Sequence, residues 1–171
     1  MYVCIPTLLN NLSQFLYPSL NLIMTKAIPP KYIVLYADDD PDDLQLVTES
    51  FEKYTQNVEV VTLEDGEAVL SYLKQISALD PSPCLIILDV NMPLLTGKDV
   101  LVQIRAMEQF NDIPVILFTT SSVHEDLAFA KKYNAGFITK PLNFSQMSKI
   151  TQEFIEHCSD EIKKNIRREI N

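Results

Sequence analysis

Two textures alternate along this chain. The first is a short apolar run, found at Tyr32 to Ala37, Val58 to Leu63, Cys84 to Leu88, Ile113 to Phe118 and Gly136 to Thr139. YIVLYA, CLIIL and PVILF are apolar on consecutive positions, the pattern of a strand covered on both faces, as in a parallel sheet. The second texture has helical spacing: Leu44, Val47, Phe51 and Tyr54, then Val69, Leu70 and Leu73, then Val100, Leu101 and Ile104, then Leu127, Ala130 and Tyr133, then Met147, Ile150 and Phe154. Start signals agree. Asp40 is placed to cap a helix that opens on Pro41 with Asp42 and Asp43 in its first turn, and Asn143 or Ser145 can cap the last one. Strand then helix, five times over, predicts an α/β fold: a doubly wound five-stranded parallel sheet in the order 2-1-3-4-5, with five helices on its two faces.

Beyond the fifth helix the apolar stripe runs on through Cys158, Ile162, Ile166 and Ile170, with Lys163, Lys164, Arg167 and Arg168 on other faces. It reads as that helix continuing into a frayed extension over 159–171, whose basic residues suit the helix dipole, in preference to a partner or dimer surface. The main domain is then 31–158. Residues 1–30 stand outside the alternation, and residues 1–23 carry no charge but are broken by Pro6, Asn10, Asn11 and Pro18. That is a poor membrane span and lacks the basic start of a secretory signal, so Met24 is the favoured true start.

Composition narrows the function. A net charge of −9 over 171 residues repels phosphate backbones, which sets nucleic acid aside as a partner, and no segment suits a membrane. Cys4, Cys84 and Cys158 are odd in number, widely spaced in sequence and without a CxxC, so neither a disulfide framework nor a zinc site is indicated and a reducing cytoplasm fits. Cys84 reads as inert packing in a strand, and His124 and His157 as surface residues.

In a sheet of this kind ligands bind beyond the carboxyl ends of the strands, near the point where strand order reverses. Asp38 and Asp39 follow the first strand, Asp89 the third, Thr119 the fourth and Lys140 the fifth. Three crowded carboxylates do not all stay ionised without a cation, and oxygen ligands with no His or Cys favour magnesium. Lys140 adds a positive charge and Thr119 a hydroxyl, together a site for a group with several anionic oxygens. There is no GxxxxGK[ST] loop and no GxGxxG to cradle a nucleotide, so the phosphoryl comes from elsewhere and the available nucleophile is a carboxylate. Asp42 and Asp43 need no such role, because carboxylates are favoured in the first turn of a helix.

With VLYADDD, LIILDVNMPLLTGKDVL, IPVILFTTSS and GFITKP in this order, the chain resembles the response-regulator receiver domain (CheY-like, flavodoxin-like) of two-component signalling over roughly Lys31 to His157. The resemblance implies Asp89 as phosphoacceptor, Asp38 and Asp39 with Asp89 and the backbone carbonyl of Asn91 as magnesium ligands, and Thr119 and Lys140 as phosphoryl-binding residues. It implies Phe137 as the aromatic whose rotamer reports phosphorylation, without the hydroxyl a tyrosine would bring. Thr120 is larger than the Ala or Gly often found there, which would slow access of small donors or phosphatases, while Leu95 replaces a frequent Met.

The expected role is a stand-alone switch. A sensor histidine kinase or phosphotransfer protein supplies the phosphoryl, and the domain catalyses only its own magnesium-dependent phosphorylation and dephosphorylation. Output is expected through a protein effector at the face of the fourth helix, fifth strand and fifth helix, or by a phosphorylation-dependent homodimer. Residues 159–171 are too few for an effector domain. Two alternatives are a haloacid-dehalogenase-like phosphohydrolase, disfavoured because Asn91 stands where those enzymes carry an acid, and a non-phosphorylated pseudo-receiver.

Overall fold

The structure, a computed structural model, describes residues 31–77, 80–120 and 124–168. The 1–30 leader and Ile170 lie outside these residues. Among the described residues five strands alternate with helices: β1 (Tyr32–Ala37), α1 (Pro41–Ser50), β2 (Val58–Leu63), α2 (Gly66–Gln75), β3 (Leu85–Asp89), α3 (Gly97–Ala106), β4 (Val115–Thr119), α4 (His124–Lys132), β5 (Gly136–Thr139), α5 (Met147–Glu156) and α6 (Asp160–Arg167). The sheet is parallel in the order β2-β1-β3-β4-β5, as the alternation predicts.

The consecutive apolar positions serve two cores. Val34, Tyr36, Leu85, Ile87, Ile116, Phe118 and Ile138 point to one side, where Val47 and Phe51 of the α1 end and Phe154 and Ile155 of α5 cover them. Leu35, Ala37, Ile86, Leu88, Val115 and Leu117 point to the other, under α2, α3 and α4. At about 1.5–3 kcal/mol for each large side chain fully buried, these two layers are the main drive for folding.

Caps fix where the helices begin, and so where the strand ends point. Asp40 Oδ1 accepts from Asp42 N at 2.9 Å at the start of α1, and Asp65 Oδ1 accepts from Ala68 N at 2.7 Å at the start of α2. Thr96 and Asp99 form a reciprocal capping box on α3. The expectation for α5 is not met: its N-cap is Gln146 with no side-chain bond, and Asn143 instead accepts from Ser145 Oγ at 2.6 Å in the 3-10 turn before it.

Two strands also differ in extent from the sequence reading, since β3 and β4 start later, at Leu85 and Val115, and run on to include Asp89 and Thr119. Both side chains are thus held by sheet pairing. Among the described residues there are six α-helices where five were expected. Instead of continuing past Glu156, the chain breaks, and Ser159 Oγ caps α6 by accepting from Ile162 N at 3.4 Å. Ile166 is fully buried in the α1/α5 core, Asn165 Nδ2 donates to Tyr32 Oη at 2.7 Å, and Asn57 Nδ2 donates to the Ile166 carbonyl at 3.4 Å. A helix turned back onto the sheet buries its stripe, which a straight continuation would have left in water. The break also makes neighbours of two cysteines far apart in sequence: Cys158 Sγ lies 3.8 Å from the Cys84 carbonyl, and both thiols are buried and free.

Arg105 ties the α4 end of the sheet together. Its guanidinium donates to the carbonyls of Tyr133 (2.9 Å), Asn134 (3.0 Å), Asn111 (2.9 Å) and Ile113 (3.1 Å), closing the turn after α4 onto the entry to β4. Arg105→Met is expected to lower unfolding free energy by about 2–3 kcal/mol, since several carbonyls lose a charged donor at once. Arg105→Lys should recover less than half, because a compact ammonium cannot span four acceptors. Urea denaturation checks both; a loss under about 0.5 kcal/mol for the Met variant would show that water replaces the guanidinium without penalty.

Candidate functional site

Asp38 follows β1 and is 1 % exposed; Asp89 closes β3 at 5 % and Thr119 closes β4 at 0 %. Asp39 and Thr120 are exposed at the rim, Lys140 is partly buried after β5, and Asn91 is exposed two residues beyond Asp89. Strand pairing brings these ends together, with Asp89 opposite Phe118 and Thr119 opposite Thr139. One carboxylate oxygen from each of Asp38, Asp39 and Asp89 falls within 4.8 Å of the others.

Lys140 occupies the middle of this group. Its Nζ donates to Asp38 Oδ2 at 2.6 Å and Asp43 Oδ2 at 2.7 Å, and lies 2.9 Å from Asp89 Oδ1. The other Asp89 oxygen, Oδ2, accepts from Asn91 N at 2.6 Å, and Asn91 Nδ2 approaches Thr119 Oγ1 at 3.4 Å. Lys140 N donates to the Thr119 carbonyl at 2.8 Å, which extends the β4–β5 pairing to Lys140. Asp38 Oδ1 accepts from Asp40 N at 3.1 Å, while its Oδ2 also accepts from the buried hydroxyl of Tyr36.

Electrostatics here are uneven because one ammonium is shared among several carboxylates. Burial opposes the charge on Lys140, but hydrogen bonds to Asp38, Asp43 and Asp89 outweigh it and hold its pKa above the usual lysine value. Burial raises the pKa of Asp38, and hydrogen bonds from Lys140 and Tyr36 only partly offset it. The lysine gains from every neighbour, whereas each carboxylate gains only a share. Asp38, Asp39, Asp43 and Asp89 surround a single ammonium, so the cluster carries excess negative charge. Oxygen-only donors with that excess fit a hard divalent cation.

The structure thus brings Asp38, Asp39, Asp89, Asn91, Thr119 and Lys140 to one edge. Phe137 is not at that edge: it is half-buried on β5, opposite Leu117, and packs against the α2/α3/α4 core. Two contributors escaped the sequence reading. Asp43 looks like an ordinary first-turn carboxylate, yet one helical turn carries it to Lys140. Tyr36 reads as strand filling, although the two-residue period puts it on the same side as Asp38, and that period was the available signal.

Comparison with known proteins agrees with this fold. The family model for the response regulator receiver domain matches residues 34–152. Response regulator Rcp1 from Synechocystis sp. is 32 % identical over 127 residues, spanning 72 % of this chain and 86 % of that protein. The crystal structure of the phosphorylated cyanobacterial phytochrome response regulator RcpA superposes with a TM-score of 0.68 at 28 % identity, covering 76 % of this chain and 98 % of that one. The Mn(2+)-bound form of Rcp1 gives a TM-score of 0.64 at 31 % identity over 72 % of this chain and 93 % of the other. This chain belongs to the response regulator receiver domain family and is a phosphorylation-switched domain of that kind.

Proposed function

We propose that Asp89 is the phosphoryl acceptor. The observation that carries this is its placement: a nearly buried carboxylate at a strand end, one oxygen beside the Lys140 ammonium and the other fixed by the Asn91 amide, within reach of Asp38 and Asp39. In the transfer, a carboxylate oxygen of Asp89 forms a bond to phosphorus as the bond from phosphorus to the donor's nitrogen or oxygen breaks, and the donor leaves with that electron pair. Magnesium, held by Asp38, Asp39, Asp89 and the carbonyl of Asn91, would supply positive charge for the phosphoryl oxygens. Lys140 adds a second charge and Thr119 a hydroxyl. Thr120, exposed beside Thr119, narrows the approach for small molecules.

The donor in this reading is a sensor histidine kinase or phosphotransfer protein, the setting is the cytoplasm, and the chain turns over no external substrate. Output follows through contact with a protein effector at the α4, β5 and α5 face, where half-buried Phe137 of β5 would report the state of the switch. Among the described residues no helix is long and apolar enough to cross a membrane. Phosphorylation shifts the population between two arrangements because Lys140 makes a new bond to the phosphoryl and draws the β5 end with it.

Incubation with acetyl phosphate and magnesium, followed by intact mass, tests the reading: one phosphoryl is expected to add, and chelation of the metal to prevent it. Lys140→Ala should still accept the phosphoryl but lose the accompanying change in backbone amide resonances around Phe137. Wild-type-like resonance changes in that variant would remove Lys140 from the switch.

A further inference from the structure

Tyr36 is a polar side chain in an apolar place. It is 0 % exposed, its ring lies in the α1/α5 core, and it meets Phe118 edge-on with ring centroids 6.3 Å apart. Phe118 in turn meets Phe154 of α5 at 5.0 Å. The ring is fully buried against Phe118, itself packed on Phe154, so the hydroxyl is aimed rather than free. Its partner is Asp38 Oδ2.

The donors to Asp38 account for its whole orientation. Oδ1 takes the amide of Asp40, and Oδ2 takes the Tyr36 hydroxyl together with the Lys140 ammonium. Of the two donors other than Tyr36, Asp40 N lies at the exposed start of α1, and Lys140 is the group that, in the proposed function, also bonds the phosphoryl. Only Tyr36 approaches from inside the core and carries no charge. It can therefore hold Asp38 in every state of the switch without competing electrostatically with a cation.

We propose that Tyr36 is the positioning residue for Asp38, fixing that carboxylate for divalent metal from the core side. The proposal rests on the reading of Asp38 as a metal ligand. Partners that orient a metal-binding carboxylate without touching the metal typically change affinity by about 10–100-fold when removed. Phenylalanine keeps the ring and its contacts with Phe118, so Tyr36→Phe removes the hydroxyl alone.

The test is manganese binding by isothermal titration calorimetry, alongside melting of the metal-free protein. Tyr36→Phe is expected to bind manganese about ten-fold more weakly or worse, with near-wild-type metal-free melting. Asp38→Asn serves as the control for the site itself. If Asp38→Asn weakens binding strongly while Tyr36→Phe stays within two-fold of wild type, the positioning role is overturned and the metal site stands. If neither change affects binding, the metal-site reading falls and takes the proposal with it. A Tyr36→Phe protein that melts earlier but binds normally would make the hydroxyl a structural bond only, which also overturns the proposal.

Discussion

Asp89→Asn is expected to abolish phosphorylation completely. Incubated with acetyl phosphate and magnesium, the variant should show no acid-stable, base-labile mass gain under conditions in which the wild-type chain is fully modified. An amide has no anionic oxygen to attack phosphorus, yet it matches the carboxylate in shape and can still accept the Asn91 amide that now bonds Asp89 Oδ2. The variant should fold at least as well in the absence of metal, since it removes one of the like charges crowded around Lys140. A phosphoryl adduct that persists in Asp89→Asn would transfer the acceptor role to a neighbour such as Asp38 or Asp39.

Gly97→Ala is the other large effect. A Cβ on Gly97 would sit 2.1 Å from the Asp89 carbonyl oxygen and 3.2 Å from Leu88 Cβ. No backbone tolerates the first of these distances. Both partners are rigid, one in the central strand and the other in the first turn of α3, which its capping box and the bond from Gly97 N to the Val90 carbonyl at 3.3 Å hold in place. We expect a stability loss of about 3 kcal/mol or more. Acetyl phosphate labelling should slow even where the variant remains folded, because the atom pushed aside belongs to the peptide of Asp89, the proposed acceptor. Chemical denaturation paired with labelling rate measures both. A loss under about 1 kcal/mol would mean that the β3–α3 connection yields more readily than its caps suggest.

How much of this was legible beforehand follows from the range of each interaction. Strands, sheet order and the convergence of Asp38, Asp39, Asp89, Thr119 and Lys140 are consequences of two-residue and helical periods combined with topology, and all of that is written in the local sequence. Asp43 was hidden because its first-turn setting already explains a carboxylate there, and only the docking of α1 on the sheet brings it to Lys140. Tyr36 was hidden because a tyrosine in a strand is ordinary core. Arg105 carries no motif at all: its four acceptors are backbone carbonyls, which every residue possesses. The turn between α5 and α6 was missed because an apolar stripe can be met equally by one long helix or by two short ones, and tertiary burial of Ile166 decides between them.

That folded-back helix has a dynamic consequence. α6 is pinned to the β1 start through Asn165 and Tyr32, and to the entry of β2 through Asn57, at the opposite end of the sheet from the acidic cluster. The far end is thereby clamped. Local opening requires loss of buried contacts, so the slowest amide exchange is expected at that clamped end and faster exchange in the exposed turns that follow Asp89, Thr119 and Lys140. If Asp89 accepts a phosphoryl as proposed, a sheet clamped at its far end is expected to yield at the strand ends that carry the site, and hydrogen exchange compared between the two ends before and after labelling checks this.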